Sequence, residues 1–205
     1  MLNSIDLLGD SILDNATYVD SEESVIDQIS AISSVPVQLF AIDGDTTTEC
    51  LYILQQQSGP KANTGAVLSI GGNDALQASS ILMVPVSNVF EAFTKMIPIL
   101  DAFRIRYCAV LEKMLEVYGR DMIRVCTVYN KIPTGPTLPN EALTALALFN
   151  DVIIEEVYRR DLQMIDLRVI CDSNDCYSKV SPIEPSREGG RRIVQAIFKS
   201  FPKEV

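Results

Sequence analysis

The strongest constraint on the fold is a series of short aliphatic runs separated by longer segments with helical periodicity. Nearly continuous runs of this kind are typical of strands that are buried on both faces of a sheet. The runs cover residues 5–8, 37–42, 66–70, 123–129 and 164–170. Helices are predicted between and after them, at residues 24–32, 47–57, 88–118, 140–160 and 186–198. Alternating strands and helices predict parallel strands joined by right-handed crossovers, in a three-layer α/β/α sandwich.

Local signals refine this prediction at a few positions. Pro98 is expected to break the long helix, because proline lacks the backbone donor that the helix interior needs. Asn140 is expected to cap the helix that follows Pro139. The loop at residues 130–139, with three prolines and Gly135, is the longest irregular stretch and is expected to form a rim of any site.

The bulk composition restricts the cellular setting and the partners. A length of 205 residues suits one domain, so residues 1–205 are predicted to form a single unit. The formal net charge of −10 disfavours binding to nucleic acid or to an anionic membrane. No apolar run is long enough to span a bilayer, and residues 1–10 lack the cationic start of a secretory signal. We therefore expect a cytoplasmic protein; its oligomeric state stays open.

The five cysteines are scattered along the chain, and we expect reduced thiols. Cys171 and Cys176 flank a polar loop, but their spacing is poor for a metal site and the chain contains no histidine to complete one. No metal and no organic cofactor is predicted.

Four polar patterns lie where predicted strands end or where the last helix begins. They are Gly9-Asp10-Ser11, Gly44, Gly71-Gly72-Asn73-Asp74, and Ser181-Pro182-Ile183-Glu184-Pro185-Ser186. In a parallel sheet these patterns converge on one edge, where ligands bind in open α/β folds. Acyl transfer needs a set of this kind: a serine that attacks, amides that hold the oxyanion, and a base.

In their order along the chain, these patterns resemble the SGNH (GDSL-like) hydrolases, a family of esterases, lipases, thioesterases and carbohydrate deacetylases. The resemblance implies a flavodoxin-like fold with a five-stranded parallel sheet in the order 2-1-3-4-5. It implies that Ser11 is the nucleophile, and that Gly44 and Asn73 join the Ser11 amide in the oxyanion hole. Asp10 and Asp74 are then expected to support the site.

The last pattern departs from the family, in which it reads Asp-x-x-His. Ser181 stands in place of the aspartate and Glu184 in place of the histidine. A free glutamate has a pKa about 2 pH units below that of histidine, but burial would raise it. Loss of the aspartate agrees with this exchange, because two carboxylates would repel each other. A Ser11–Glu184 dyad oriented by the Ser181 hydroxyl and a site that has lost its activity are both compatible with these residues.

Other interpretations of these carboxylates stay open. Asp172 and Asp175 lie near the same strand end and could serve as the base. Glu184 could instead be an ordinary first-turn acid paired with Arg187 or Arg191.

The favoured function is hydrolysis of small esters or O-acyl groups, so the expected partner is a small ester or acylated molecule. One alternative is a binding protein with the hydrolase fold that has lost its base. A remote alternative is a haloacid-dehalogenase-like phosphatase, because Asp43-x-Asp45-x-Thr47 after an apolar run resembles that family's first motif. Asp43 would then be the nucleophile and Asp45 the acid/base, around Mg²⁺. The acidic partner motif comes in the wrong order for this family.

Overall fold

The central feature of the fold is one sheet of five parallel strands, seen in a computed structural model that describes residues 2–133 and 139–201. The strands lie in the order β2-β1-β3-β4-β5, and their pairing is parallel throughout. Their bounds are β1 Ser4–Gly9, β2 Val37–Leu39, β3 Thr64–Ser69, β4 Ile123–Cys126 and β5 Gln163–Ile165. The predicted strand order and parallel sheet are confirmed.

Helices cover both faces of this sheet. The described part of the chain contains seven α-helices: α1 Val25–Ile32, α2 Thr47–Gln55, α3 Gly72–Ala78, α4 Val89–Tyr118, α5 Asn140–Arg159, α6 Leu167–Ile170 and α7 Arg187–Ser200. One group is formed by α1 packed against α7, and the other by α4 packed between α2 and α5. The predicted three-layer sandwich is therefore confirmed. Among these helices, none combines the length and apolarity needed to cross a bilayer.

The centre of the core is the pair formed by β1 and β3. Leu7 in β1 pairs with Val67 in β3 on one side and with Leu39 in β2 on the other. Leu7 and Val67 are fully buried, as expected for strands covered on both faces. Because the strand order reverses at β1, the carboxyl ends of β1 and β3 open onto the crevice where such folds bind ligands.

Gly9 determines how the chain leaves β1. Its φ angle is +127°, and a Cβ atom at this position would lie 1.7 Å from the Ser69 carbonyl oxygen. The next residue, Asp10, donates its backbone N–H to that same carbonyl at 3.0 Å. Only glycine permits this approach, which holds the chain after β1 directly over the end of β3.

The expected break at Pro98 is wrong, since α4 runs continuously from Val89 to Tyr118 with Pro98 inside it. Proline at this position removes the backbone hydrogen bond to the Thr94 carbonyl. Both Thr94 and Pro98 are exposed, so water can satisfy that carbonyl and the helix continues. The expected Asn140 cap is also displaced by one residue, because Pro139 is the N-cap and Asn140 begins α5.

The last predicted strand is divided between two elements. β5 ends at Ile165, and residues 167–170 form the short helix α6. Asp166 caps this helix by accepting a hydrogen bond from the Arg168 backbone N–H at 3.2 Å. A short apolar run fits a strand or a buried helix equally well, and the side-chain cap selects the helix here.

Residues 72–83 form ordered structure that the sequence pattern did not indicate. They form α3 and then the 3₁₀-helix Ser79–Met83, directly after β3. Of the predicted rim at 130–139, residues 134–138 lie outside the described part of the chain. The division into one domain stays a prediction.

The close approach at Gly9 generates a test of the fold. We expect Gly9→Ala to lower the free energy of unfolding by about 3 kcal/mol or more, because a Cβ must displace the β3 backbone. Gly44→Ala is the matched control: Gly44 also has a positive φ of +89°, but its added Cβ would meet no atom within 4 Å. It should cost about 1–2 kcal/mol from backbone strain alone. Urea denaturation measures both, and equal losses would contradict the account of Gly9.

Candidate active site

Ser11 lies in the turn that follows β1, where Asp10 holds the backbone. The Asp10 carbonyl accepts backbone N–H groups from Leu13 and Asp14 at 3.0 and 3.1 Å, and its carboxylate accepts the Ile12 N–H at 3.2 Å. Within the described residues, the Ser11 N–H has no acceptor, and the side chain of Ser11 is almost buried. Ser11 is therefore presented at the end of the sheet with a backbone donor available to a ligand.

Asn73 lies in the first turn of α3, directly after β3. Its Nδ2 donates to the Asp45 carbonyl at 2.9 Å, so it is joined to the loop that contains Gly44. An asparagine amide has two N–H bonds, and one of them stays available. Gly44 itself is exposed and does not line the cavity described below. The geometry thus brings Asn73 to the site. Gly44 directly precedes Asp45, the hydrogen-bond partner of Asn73.

Asp74 holds α3 in place. Its carboxylate accepts the Thr47 N–H at 2.9 Å and the Thr47 hydroxyl at 2.6 Å, and it lies 3.6 Å from the Arg106 guanidinium. These contacts join the start of α3 to the start of α2 and to α4. Asp74 therefore supports the position of its neighbour Asn73 through the backbone.

Glu184 lies in the loop before α7 and is only 4% exposed. Burial raises the pKa of its carboxyl to about 7; the Ser11 hydroxyl lowers the pKa in part, and the charge of Asp43 adds a small increase. No hydrogen bond of standard length and angle joins Ser11 to Glu184 in the described part of the chain, and Glu184 Oε2 is buried there without a partner. Glu184 is thus a carboxyl near Ser11 that changes charge near neutral pH.

Asp10 is the second buried carboxyl at this edge. Burial raises its pKa well above the ordinary value, against the hydrogen bond from Ile12, and the negative charges of Glu184 and Asp74 raise it further. Two acids in one low-dielectric region resist ionising together. Asp10 is thus a second buried carboxyl of the site, and its charged form is disfavoured by burial and by the neighbouring negative charges.

Asn15 and Tyr129, which belong to none of the four polar patterns, hold the Glu184 loop in place. Asn15 is fully buried, donates its Nδ2 to the Pro185 carbonyl at 3.0 Å and accepts the Val25 N–H at 2.8 Å. The Tyr129 hydroxyl donates to the Ile183 carbonyl at 2.6 Å. The carbonyls on both sides of the glutamate are therefore bonded from other elements. Neither residue belongs to a strand-end pattern, so only the three-dimensional arrangement identifies them.

Ser181 acts on the loop through its backbone. Its carbonyl accepts the Glu184 N–H at 3.1 Å, and the Glu184 carbonyl accepts the Ser178 N–H at 2.8 Å. Among the described residues, the Ser181 hydroxyl makes no hydrogen bond to the carboxylate. Its expected orienting role stays a prediction, and the contacts in hand are those of a tight turn.

The other candidate partners lie away from the cavity. Asp172 and Asp175 are exposed and pair with Arg192 at 2.8 and 3.6 Å. Arg187 and Arg191 pair with other glutamates, at 3.1 and 2.6 Å. Glu184 therefore pairs with neither Arg187 nor Arg191. It also lies outside α7, so it is not an acid in the first turn of that helix.

The loop that contains Cys176 packs against α7. Cys171 and Cys176 are both buried free thiols. A Cβ atom on Gly189 would lie 2.1 Å from the Cys176 carbonyl oxygen, so glycine lets α7 pack closely on this loop. In residues 2–133 and 139–201 no group of three or more histidine, cysteine or acidic side chains is arranged to hold a metal ion.

Ser11, Asn73, Glu184 and Asp10 all line one cavity. The cavity has an empty volume of about 780 Å³, open solvent at its mouth included. Besides these four polar side chains, the lining comes mainly from apolar residues of α3, the 3₁₀-helix Ser79–Met83, α4 and α5. A hydroxyl, an amide donor and a carboxyl near neutrality thus share one concave site.

The residues of the phosphatase interpretation lie elsewhere. Asp43 is exposed and accepts the Tyr18 hydroxyl at 2.7 Å, a bond that raises the pKa of Tyr18 to about 12. Asp45 is buried, and its Oδ2 has no partner among the described residues. Neither lines the cavity, and no observation here favours that interpretation.

Solved structures of ester hydrolases share this architecture. The chain is similar to phospholipase A1 from Streptomyces albidoflavus NA297 (TM-score 0.64, 17% identity), over 98% of this chain and 100% of that one. It is similar to a member of the lipolytic G-D-S-L family from Veillonella parvula DSM 2008 (0.64, 13%), over 96% of each chain. It is also similar to the acetylxylan esterase Axe2 from Geobacillus stearothermophilus (TM-score 0.64, 11% identity), over 98% of this chain and 95% of that one. No protein-family model and no curated protein matches the sequence. The chain therefore has the fold that its SGNH-like motif order implies.

The loop contacts of Asn15 generate a second test. We expect Asn15→Ala to lower the free energy of unfolding by about 2–4 kcal/mol, because the Pro185 carbonyl and the Val25 N–H would both be buried without partners. Asn3→Ala is the control, since Asn3 is exposed and its bond to the Ala62 carbonyl is long, at 3.4 Å. It should change stability by less than about 0.5 kcal/mol. Equal effects in chemical denaturation would show that Asn15 does not hold the loop.

Proposed function

We propose that this protein is a serine hydrolase of esters or O-acyl groups, with Ser11 as nucleophile and Glu184 as general base. The observation that carries the proposal is the convergence of Ser11, Asn73 and Glu184 on one cavity at the carboxyl edge of the sheet. The names of the similar structures, a phospholipase, a lipolytic protein and an acetylxylan esterase, support the same reaction class. The net charge of −10 supports a small ester as partner over nucleic acid or an anionic membrane.

The proposed reaction proceeds in two steps. Ser11 Oγ attacks the acyl carbon while Glu184 takes the hydroxyl proton, and the carbonyl oxygen becomes an oxyanion. The Ser11 N–H and the free Asn73 N–H are the donors for this oxyanion, with the Gly44 N–H as the third predicted donor. Glu184 then gives its proton to the departing alcohol, and water cleaves the acyl-enzyme by the reverse sequence.

Burial is what makes a glutamate suitable for this task. A base works best when its pKa lies near the working pH, and Glu184 meets this condition at about 7. An ordinary glutamate in water would hold a proton too weakly to assist the attack. The missing family aspartate fits this chemistry, because a second ionised carboxylate would push the pKa of Glu184 still higher.

A binding protein with the hydrolase fold is the second candidate. The observation that favours it is the lack of a standard hydrogen bond between Ser11 and Glu184 among the described residues. Catalytic hydrogen bonds are often long before substrate binds, so this geometry fits an enzyme as well. A fluorophosphonate probe separates the two, because it labels only a reactive serine.

A third prediction concerns Ser11 and Glu184, the two proposed catalytic side chains. Ser11→Ala should abolish hydrolysis of a short-chain aryl ester and fluorophosphonate labelling, since the attacking oxygen is gone. Glu184→Gln should lower kcat/KM about 10²–10⁴-fold, the usual contribution of a positioned general base. Glu141→Gln, at an exposed position on α5, is the matched control and should leave the rate unchanged. A fully active Glu184→Gln variant beside an inactive Ser11→Ala variant would assign the base to another group, and unlabelled wild type would establish the binding protein.

A fourth prediction concerns the pH dependence of the rate and of the stability. The base must be ionised, so kcat/KM should rise about tenfold per pH unit below 7 and level off above it. The raised pKa also means that the folded protein holds a proton that the unfolded chain has released, between about pH 4.5 and 7. The contribution of this carboxyl to the free energy of unfolding is therefore largest below about pH 4.5. It falls as the pH rises and is lost once the pH passes 7.

A stability comparison gives the independent control. Glu184→Gln should match the wild type in melting temperature at pH 4 and exceed it at pH 8, where only the wild type carries a buried charge. A rate profile that levels off near pH 5, or a Glu184→Gln variant with no gain at pH 8, would contradict the raised pKa.

A further inference from the structure

The cavity beside Ser11 is lined mainly by apolar side chains. They include Met96 of α4 and Leu146 and Phe149 of α5, each at least nine-tenths buried. Apart from Ser11, the hydroxyls in this lining belong to Ser79 and Tyr129, and the Tyr129 hydroxyl is already bonded to a backbone carbonyl. Such a wall offers nothing to a sugar or a charged group and favours an alkyl chain.

An exposed apolar segment joins two lining residues of the cavity along the chain. Leu82 and Met96 both line the cavity. Between them, Met83, Phe90 and Phe93 are 85%, 82% and 58% exposed. Exposed apolar side chains gathered in one segment are typical of surfaces that contact apolar ligands.

The apolar lining suits the acyl part of an ester better than the alcohol part. The acyl group stays bonded to Ser11 through both steps, and Ser11 itself lines the cavity. The alcohol must leave and water must enter between the steps, so a firmly held alcohol would slow the second step.

We propose that the cavity binds a medium-chain acyl group, such as octanoyl, and that this protein prefers such esters over acetyl esters. This inference rests on the proposed function. The overall reaction is hydrolysis: water adds across the ester bond, and a medium-chain carboxylic acid and an alcohol are released. Each methylene buried in the cavity stabilises the transition state, so the preference grows with chain length until the cavity is full.

A series of p-nitrophenyl esters tests the inference on the full chain. From acetate through butyrate to octanoate, kcat/KM should rise about fourfold per added methylene and then level off at dodecanoate. Ala145→Phe, which fills part of the α5 wall, should lower the octanoate-to-acetate ratio of kcat/KM at least about tenfold. Ala147→Phe is the matched control, because Ala147 lies on the exposed face of the same helix and should leave the ratio unchanged.

Binding of decanoic acid to the Ser11→Ala variant, measured by calorimetry, tests the cavity without turnover. Saturable binding that is lost on adding Ala145→Phe, and kept on adding Ala147→Phe, would support the inference. Hydrolysis that is fastest for acetate, with no decanoic acid bound, would overturn the inference and leave the proposed function standing. Decanoic acid binding with no ester hydrolysed would overturn the proposed function and leave an alkyl-binding cavity.

Discussion

The pairing of β1 with β3 is the interaction on which the site depends. Six consecutive residues of each strand are paired, from Ser4 with Thr64 to Gly9 with Ser69. Both strands are buried, so a shift in register would expose apolar side chains and is strongly opposed. Their carboxyl ends are therefore fixed side by side. Ser11 follows one end and Asn73 follows the other, so the core sets the distance between the Ser11 hydroxyl and the Asn73 amide.

The proposed base, Glu184, is positioned differently, because it belongs to an irregular loop. The Glu184 loop is positioned by hydrogen bonds from Asn15, Tyr129 and Ser178, which come from three separate parts of the chain. No cation pairs with the carboxylate in the described residues, and burial is the main cause of its raised pKa, with an addition from the charge of Asp43. A histidine–aspartate pair gains basicity from a neighbouring charge. In the proposed site, burial raises the pKa of Glu184 to about 7 instead.

Much of the fold could be predicted from the sequence, because strands buried on both faces of a parallel sheet consist of nearly continuous aliphatic runs. The strand order was implied by the resemblance to the SGNH hydrolases, and the convergence of Ser11, Asn73 and Glu184 followed from placing their motifs at one edge of a parallel sheet. Two predictions were wrong because local contacts decided the structure. The helix continues through Pro98, whose turn faces water, and Asp166 caps a short helix where a strand was expected. The roles of Asn15 and Tyr129 could not be predicted, because a hydrogen bond to a backbone carbonyl far away in the chain produces no pattern in the sequence. The buried state of Glu184 likewise depends on neighbours distant in the chain.

The central claim is that a single buried carboxyl next to Ser11 is the proton acceptor of the site. Its most direct test is a titration of the glutamate side-chain carboxyls by ¹³C NMR, comparing the wild type with Glu184→Gln. The account predicts one carboxyl that titrates near pH 7 in the wild type and is missing from the variant. A Glu184 signal that titrates near 4.5, as an exposed glutamate does, would contradict it.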